Sequence, residues 1–579
     1  MNTYSGLPQL LSNTPKQLNA LAPGHSNPIA IRESLFAGYV QDDWRFRPNI
    51  TLNIGLRYEM TTLPNDANNR IEEITTLTNC ATPGIAPSPN SPCGPVHVGS
   101  FIAGNPTTKN FEPRVGLSWD PFKKGKTAVR GGFGMFDVLP LPYEFGLNAA
   151  ATAPYQIIGL DSPGGAAASG KCATNPCKGA TLGGGIDNNV GFSPNAVRNR
   201  FVEQNPKRAY VMNWNFNIQR EIAPNLTSTI GYVGSRSVHL SVAADDINLV
   251  PPVATSAGLL IPRNTYQLDP NWAGANGGVT PGGPGGAGIR PVIFDGEATY
   301  HGLQAQLKRS MSHGVQGQLS YTFSKCRDTS SAPVTGDTYV NSIAVPLLLS
   351  KQYRIGACDF DLRHVLVGTF LWDVPGPKSG MASYLAGGWE LGAIVTAESG
   401  SPYSVTVGGG NDPLGTGFNG DFSMDYADLI SGCNATPGIT RDANGKLLAF
   451  NTNCFGLPQS TPDIAAQCAP FIDAAKNPIL GTCSNLVGHS GRNRFYGPGL
   501  TTVDFSAFKN FQFTERLRLQ FRAEFFNLLN HPNFAAPNFL NDANNSAFDA
   551  NGARIGNAGI IGSTSTSSRQ IQLGLKLVW

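Results

Sequence analysis

Three stretches of this 579-residue chain have the residue types of a reactive or binding site. The first is Gly488-His489-Ser490-Gly491. It is close to the Gly-x-Ser-x-Gly turn that holds a nucleophilic serine between a strand and a helix, but Arg492 stands where the last glycine belongs. An ordinary loop serine is therefore expected. The second is a pair of glycine-rich runs, GGGIDNN and GGPGGAG, the latter at Gly282 to Gly288. Neither has the Lys-Ser/Thr and strand–helix setting that a phosphate cradle needs. The third is the group Asp412, Asp421, Asp425 and Asp428, four oxygen donors within one stretch. Calcium takes such ligands, but solvated loop acids are the expected reading. The eight histidines do not cluster. Together these features predict no enzyme, no bound cofactor and no metal site.

The ten cysteines follow a different rule. Cys80 and Cys93, Cys172 and Cys177, Cys326 and Cys358, and the set Cys433, Cys454, Cys468 and Cys483 all lie in polar or Gly/Pro-rich stretches. No pair has zinc-ligand spacing. The pattern predicts loop disulfides formed in an oxidising compartment.

What positions such loops is read from period two. From Glu515 to Phe525, Leu517, Leu519, Phe521, Ala523 and Phe525 alternate with Arg516, Arg518, Gln520, Arg522 and Glu524. A strand sorts these into an apolar and a polar face, whereas a helix would scatter them. Paired segments repeat the device. Short turns join them at Arg47-Pro48-Asn49, Lys123-Lys124-Gly125, Ala223-Pro224-Asn225 and Ser312-His313-Gly314. A Gly-rich link joins a fifth pair, and Gln512 to Thr514 joins a sixth. The last strand, RQIQLGLKLVW, stands alone. This gives about thirteen strands, long for a soluble sheet and suited to a bilayer.

Long connections alternate strictly with the short turns, so all of them fall at one end of the sheet. Outer-membrane barrels have this asymmetry, with short periplasmic turns and long outer loops. Trp44, Phe46, Trp119, Phe122, Trp372, Phe511 and Trp579 lie toward the short turns. Tyr58, Phe136, Tyr321, Phe323 and Phe525 lie toward the long loops. Two aromatic belts at the two membrane interfaces are expected. Charged residues are only 14%, and 42 basic against 39 acidic residues give +3, which predicts no nucleic-acid partner. No apolar run is long enough for a membrane helix.

The segments YVQDDWRFRPNITLNIGLRYE, NFEPRVGLSWDPF, WNFNIQREIAPNLTSTIGYVGSRSVHL, YHGLQAQLKRSMSHGVQGQLSYTFSK, GGWELGAIVTAESGSPYSV and FRAEFFNLLNHPNF, in this order, resemble the barrel of TonB-dependent outer-membrane receptors. The Oar-like group is the nearest within it. The resemblance implies an all-β, antiparallel transmembrane barrel of roughly 22 strands with an N-terminal plug, powered through a TonB box. Of that, about 13 to 14 strands are legible here, and no plug or TonB box is. The first legible strand leads into a short turn and so runs toward the periplasm, which makes residues 1–31 an expected outer-loop remnant or disordered N-terminus; MNTYSGLPQLLSNTPKQ does not read as a secretory signal. Residues 32–579 are expected to be a partial barrel in the bacterial outer membrane.

The resemblance also implies roles. Arg516, Arg518, Gln520, Arg522 and Glu524 would face the lumen. Ile571, Leu573, Leu575, Leu577 and Trp579 would form the terminal signal read by the barrel-assembly machinery. The expected partners are membrane lipid, that machinery, the TonB complex only through an absent plug and box, and a small-molecule, glycan or peptide ligand. A structural or adhesive surface barrel is the alternative.

Overall fold

A computed structural model describes residues 30–73, 96–140, 200–243, 290–331, 351–407, 426–458 and 488–579, apart from positions 378–379, 437, 515–516, 538–545 and 550–552, together with isolated short stretches elsewhere. Its framework is a sheet whose continuous path runs through thirteen long antiparallel strands in chain order. These are β1 (Leu35–Arg47), β2 (Ile50–Thr61), β3 (Phe111–Trp119), β4 (Thr127–Asp137), β5 (Tyr210–Ala223), β6 (Leu226–Ala243), β7 (Arg290–Ser312), β8 (Val315–Asp328), β9 (His364–Asp373), β10 (Trp389–Glu398), β11 (Leu500–Gln512), β12 (Arg518–Phe526) and β13 (Gln570–Val578). Two short strands, Arg200–Val202 and Gly356–Ala357, attach to β7 and β8. β1 and β13 form the two edges of the path, and they do not pair with each other.

Turn chemistry fixes the hairpins. β7 passes to β8 through His313 and Gly314, both at positive φ (52° and 76°). That pair of values makes the primed turn whose twist matches the strands it joins. β5 passes to β6 through Pro224 and Asn225, the latter at φ 63°. β3 passes to β4 through Lys123 and Gly125 at φ 56° and 67°. Two joins differ from the sequence expectation. β9 and β10 are linked through a short helix, α1 (Met381–Ala386), whose Met381 and Leu385 are exposed. The β11–β12 turn opens to residues 513–517.

Register carries one apolar row across the sheet. Ile218 pairs with Ile230, Ile230 with Ala305, Ala305 with Tyr321, Tyr321 with Leu366 and Leu366 with Ala397. Farther along, Phe505 meets Phe525, which meets Ile571. Among the described residues nothing covers this face: Ile230 is 57% exposed, Leu319 48% and Leu573 67%. An uncovered apolar face spanning thirteen strands is far beyond what water tolerates, and a bilayer is the solvent that fits it.

Candidate functional site

The opposite face is polar. Across β4 to β8 the register brings together Arg130, Asn217, Gly231, Gln304 and Thr322 in one row. Gln219, Thr229, Gln306 and Ser320 form the next. Arg130 donates to Gln219 at 2.7 Å. A groove of about 500 Å³ runs over these strands, lined by Arg130, Asn217, Gln219, Gln304 and Gln306 among others. Near the final edge, Asn510 pairs with Gln520 and Gln520 with Lys576, while Arg522 lies over the Phe508 ring at 4.8 Å. Arg518, Gln520, Arg522 and Glu524 thus share the polar face, and Arg522 and Glu524 form an ion pair at 3.2 Å. Arg516 lies outside the described residues. On the other face, Ile571, Leu573, Leu575 and Leu577 of β13 are exposed, as is Trp579 just beyond its end.

Among the expected aromatics, Phe136 does not join a belt. It shares the polar face with Arg114, whose guanidinium sits 4.5 Å from its ring centre. The belt at that level is carried instead by Trp214, Tyr232, Tyr321 and Phe323. Trp214 packs flat across β6 because Gly234 opposite it has no side chain; a Cβ there would fall 2.5 Å from the indole.

Above the long-strand ends the outer loops fold onto one another. Tyr403, Val405, Phe450, Phe455 and Phe495 from the 399–499 loop pack with Ala547 and Phe548 from the 527–569 loop. A Cys433–Cys454 bond lies within this unit. A second bond, Cys326–Cys358, closes the end of β8 onto its loop. The side chains of the other six cysteines lie outside the described residues.

Between this unit and the strand ends sits a buried ionic knot that sequence reading missed. The Arg492 side chain is 1% exposed. It donates to the Asp328 carboxylate, to Ser331 Oγ at 2.9 Å and to the Arg354 carbonyl at 3.1 Å, and lies 3.8 Å from Asp359. Asn493 donates to Asp359 at 2.6 Å. Burial holds the Asp359 carboxyl above its ordinary range, although Arg492 opposes this. Arg354 makes a bidentate pair with Asp295 at 2.6 and 3.1 Å. Asp361 accepts from Cys326 N, Arg363 and Tyr496, each at 2.7 Å. The knot ties β7, β8 and two loops together.

The Gly488–Gly491 stretch is structural too. Ser490 is fully buried and its hydroxyl donates to the Val405 carbonyl at 3.2 Å. His489 pairs with Asp428 at 2.8 Å, but its side chain is 73% exposed and does not engage that hydroxyl. Of the four loop aspartates only Asp428 is described, and no group of metal ligands occurs among the described residues.

One loop carboxyl gives a pH dependence. Glu73 is fully buried, two residues along its strand from Ile71, which belongs to a buried apolar cluster with Phe101, Phe145 and Val202. Burial raises its carboxyl well above the ordinary value of 4.5, and the Gln204 hydrogen bond at 3.1 Å only partly opposes this. The folded state therefore holds the proton more tightly than the unfolded state. The resulting stability is full below the ordinary value and is lost as pH rises through the raised one. Hydrogen-exchange protection over residues 96–102, corrected for the base-catalysed intrinsic rate, is expected to be greater at pH 5 than at pH 8. In Glu73→Gln that difference should vanish; an unchanged difference would assign it to another group.

A two-faced wall with uncovered apolar outside, polar inside and loops gathered at one end defines an integral outer-membrane β-barrel protein. The chain matches the family model for an outer membrane beta barrel domain over residues 2–572 and belongs to that family. Its place is the bacterial outer membrane. Among solved structures it is similar to the outer membrane transporter YddB of Escherichia coli, at 10% identity and TM-score 0.42, covering 94% of this chain and 45% of that one. It is also similar to the pyoverdine receptor FpvA of Pseudomonas aeruginosa, at 8% identity and TM-score 0.37, covering 94% and 42%. The FrpB iron transporter of Neisseria meningitidis shows 10% identity and TM-score 0.37, covering 95% and 46%. The chain thus spans less than half the length of these structures. No curated protein matches it in sequence.

Proposed function

We propose that the chain forms wall and ligand-gathering loops of a receptor of the TonB-dependent type, in the Oar-like group that its strand motifs resemble, and that it serves uptake of a solute. The observation that carries this reading is the breadth of the polar face. Thirteen strands at about 4.8 Å spacing and roughly 40° tilt span about 80 Å of perimeter. Eight strands already enclose only enough room for their own side chains. A wall this broad therefore bounds a space wider than its side chains fill, lined here by Asn, Gln, Thr and Gly. An adhesive barrel has no need of such a lining.

Energy coupling would pass through a plug and TonB box, which no stretch of this sequence resembles. The loop unit would capture the ligand. Uptake of labelled ferric chelates, oligosaccharides and peptides is to be compared in cells with the gene deleted and restored, with and without a protonophore. Loss of one solute's uptake that follows both the gene and the proton gradient is expected. If binding to cells falls on deletion while uptake of every solute is unchanged, the adhesive alternative replaces this reading.

A further inference from the structure

We infer a binding site for a phosphorylated lipid headgroup on the outward rim of β6, β7 and β8. Register places Arg236 opposite Thr299, and Thr299 opposite Arg327, on the lipid-side face. One row lower, His301 stands opposite Lys325. One row lower again lie Tyr232, Leu303 and Phe323. Arg236, His301, Lys325 and Arg327 are exposed, whereas Ser324, Cys326 and Asp328, which alternate with them on β8, are buried under the loops. The cations thus point away from the lumen.

Among the described residues, Arg236, Lys325 and Arg327 differ from nearby basic residues, which are paired. Arg208 is paired with Asp137, Arg354 with Asp295, Arg363 with Asp361 and Arg492 with Asp328. Among the described residues, the side chains of Arg236, Lys325 and Arg327 have no hydrogen bond or ion pair. The carboxylates nearest along β7 are already occupied, Asp295 by Arg354 and Glu297 by Lys351 at 2.6 Å. The Nδ1 of His301 is engaged by the Tyr232 hydroxyl at 2.7 Å.

Height selects the occupant. Successive rows on one face are about 7 Å apart along a strand, or roughly 5 Å in height at barrel tilt. The His301–Lys325 row therefore stands level with Trp214, about 5 Å above Tyr232 and Phe323, and the Arg236–Arg327 row about 5 Å higher again, at headgroup level. Arg236 and Arg327 are two strand spacings apart, about 10 Å. Three cations within that span suit a phosphate-bearing group, which arginine forks grip in pairs. An occupant that meets cations above and an uncovered apolar band below is an amphiphile, so the site is assigned to outer-leaflet lipid rather than free phosphate.

The test uses protein extracted from outer membranes in mild detergent and native mass spectrometry with added lipid A. Wild-type protein is expected to bind diphosphorylated lipid A at least about ten-fold more tightly than its dephosphorylated form. Arg236→Gln, Lys325→Gln and Arg327→Gln together should abolish that preference, while Lys446→Gln in an outer loop should leave it intact. Equal wild-type binding of the two lipids overturns the proposal without reference to any variant. Retention of the preference in the triple variant, an equal loss in Lys446→Gln, or displacement of the lipid by an equal concentration of inorganic phosphate overturns it as well.

Discussion

Replacing Arg492 by alanine is expected to release the outer loops from the wall while leaving the wall assembled. The guanidinium lies between Asp328 and Asp359, whose side chains are 3% and 1% exposed. Removing one partner of a buried ion pair costs about 3–5 kcal/mol, because the remaining charge is stranded away from water. Here two buried carboxylates lose their shared cation at once, Asp328 keeping the Ser331 hydroxyl and Asp359 the Asn493 amide, and Ser331 and the Arg354 and Ala357 carbonyls lose a donor. Such a loss is comparable with the whole stability of many domains. The wall keeps its ladders, since none of their hydrogen bonds involves the Arg492 side chain. Limited proteolysis on intact cells should cleave the 399–499 loop in the variant under conditions that spare the wild type. Heat-modifiable migration of the barrel should be unchanged. Arg492→Lys should fall between the two, keeping the charge but not the fork. Loops equally resistant in the alanine variant would show that the knot holds nothing.

The second large effect separates the two faces at adjacent residues. Leu319 pairs with Leu307 and Gly368 on the lipid side, and Ser320 with Gln306 and Val367 on the polar side. An arginine on the lipid face near the bilayer midplane costs about 2–4 kcal/mol, whereas lumen positions tolerate charge. Leu319→Arg should therefore lower the folded, heat-modifiable fraction several-fold, and Ser320→Arg should not. A helical or soluble reading predicts no such alternation. If the two variants assemble equally, the face assignment fails.

The wall was legible in the sequence because each of its signals is local. Alternation, turn residues and loop lengths are read within some twenty residues. The predicted turn at Ser312-His313-Gly314 matches the positive φ of His313 and Gly314. The knot was illegible for the opposite reason. Arg492 is separated from Asp328 by 164 positions and from Ala357 by 135. Nothing near Arg492 marks it, and in the sequence it stands out only as the residue that spoils a serine motif. Phe136 was misplaced because the residues around it, Gly131, Gly132 and Gly134, blur the alternation that tells one face from the other.

β1 leads into a short turn, and β13 follows a long loop, so both descend from the loop end to the turn end. Thirteen is an odd number, and a meander with an odd number of strands begins and ends in the same direction. Direct pairing of β13 with β1 would make a parallel seam in an otherwise antiparallel wall. An antiparallel seam requires an odd number of intervening strands, whatever polypeptide supplies them. Parity alone thus restricts how this wall closes.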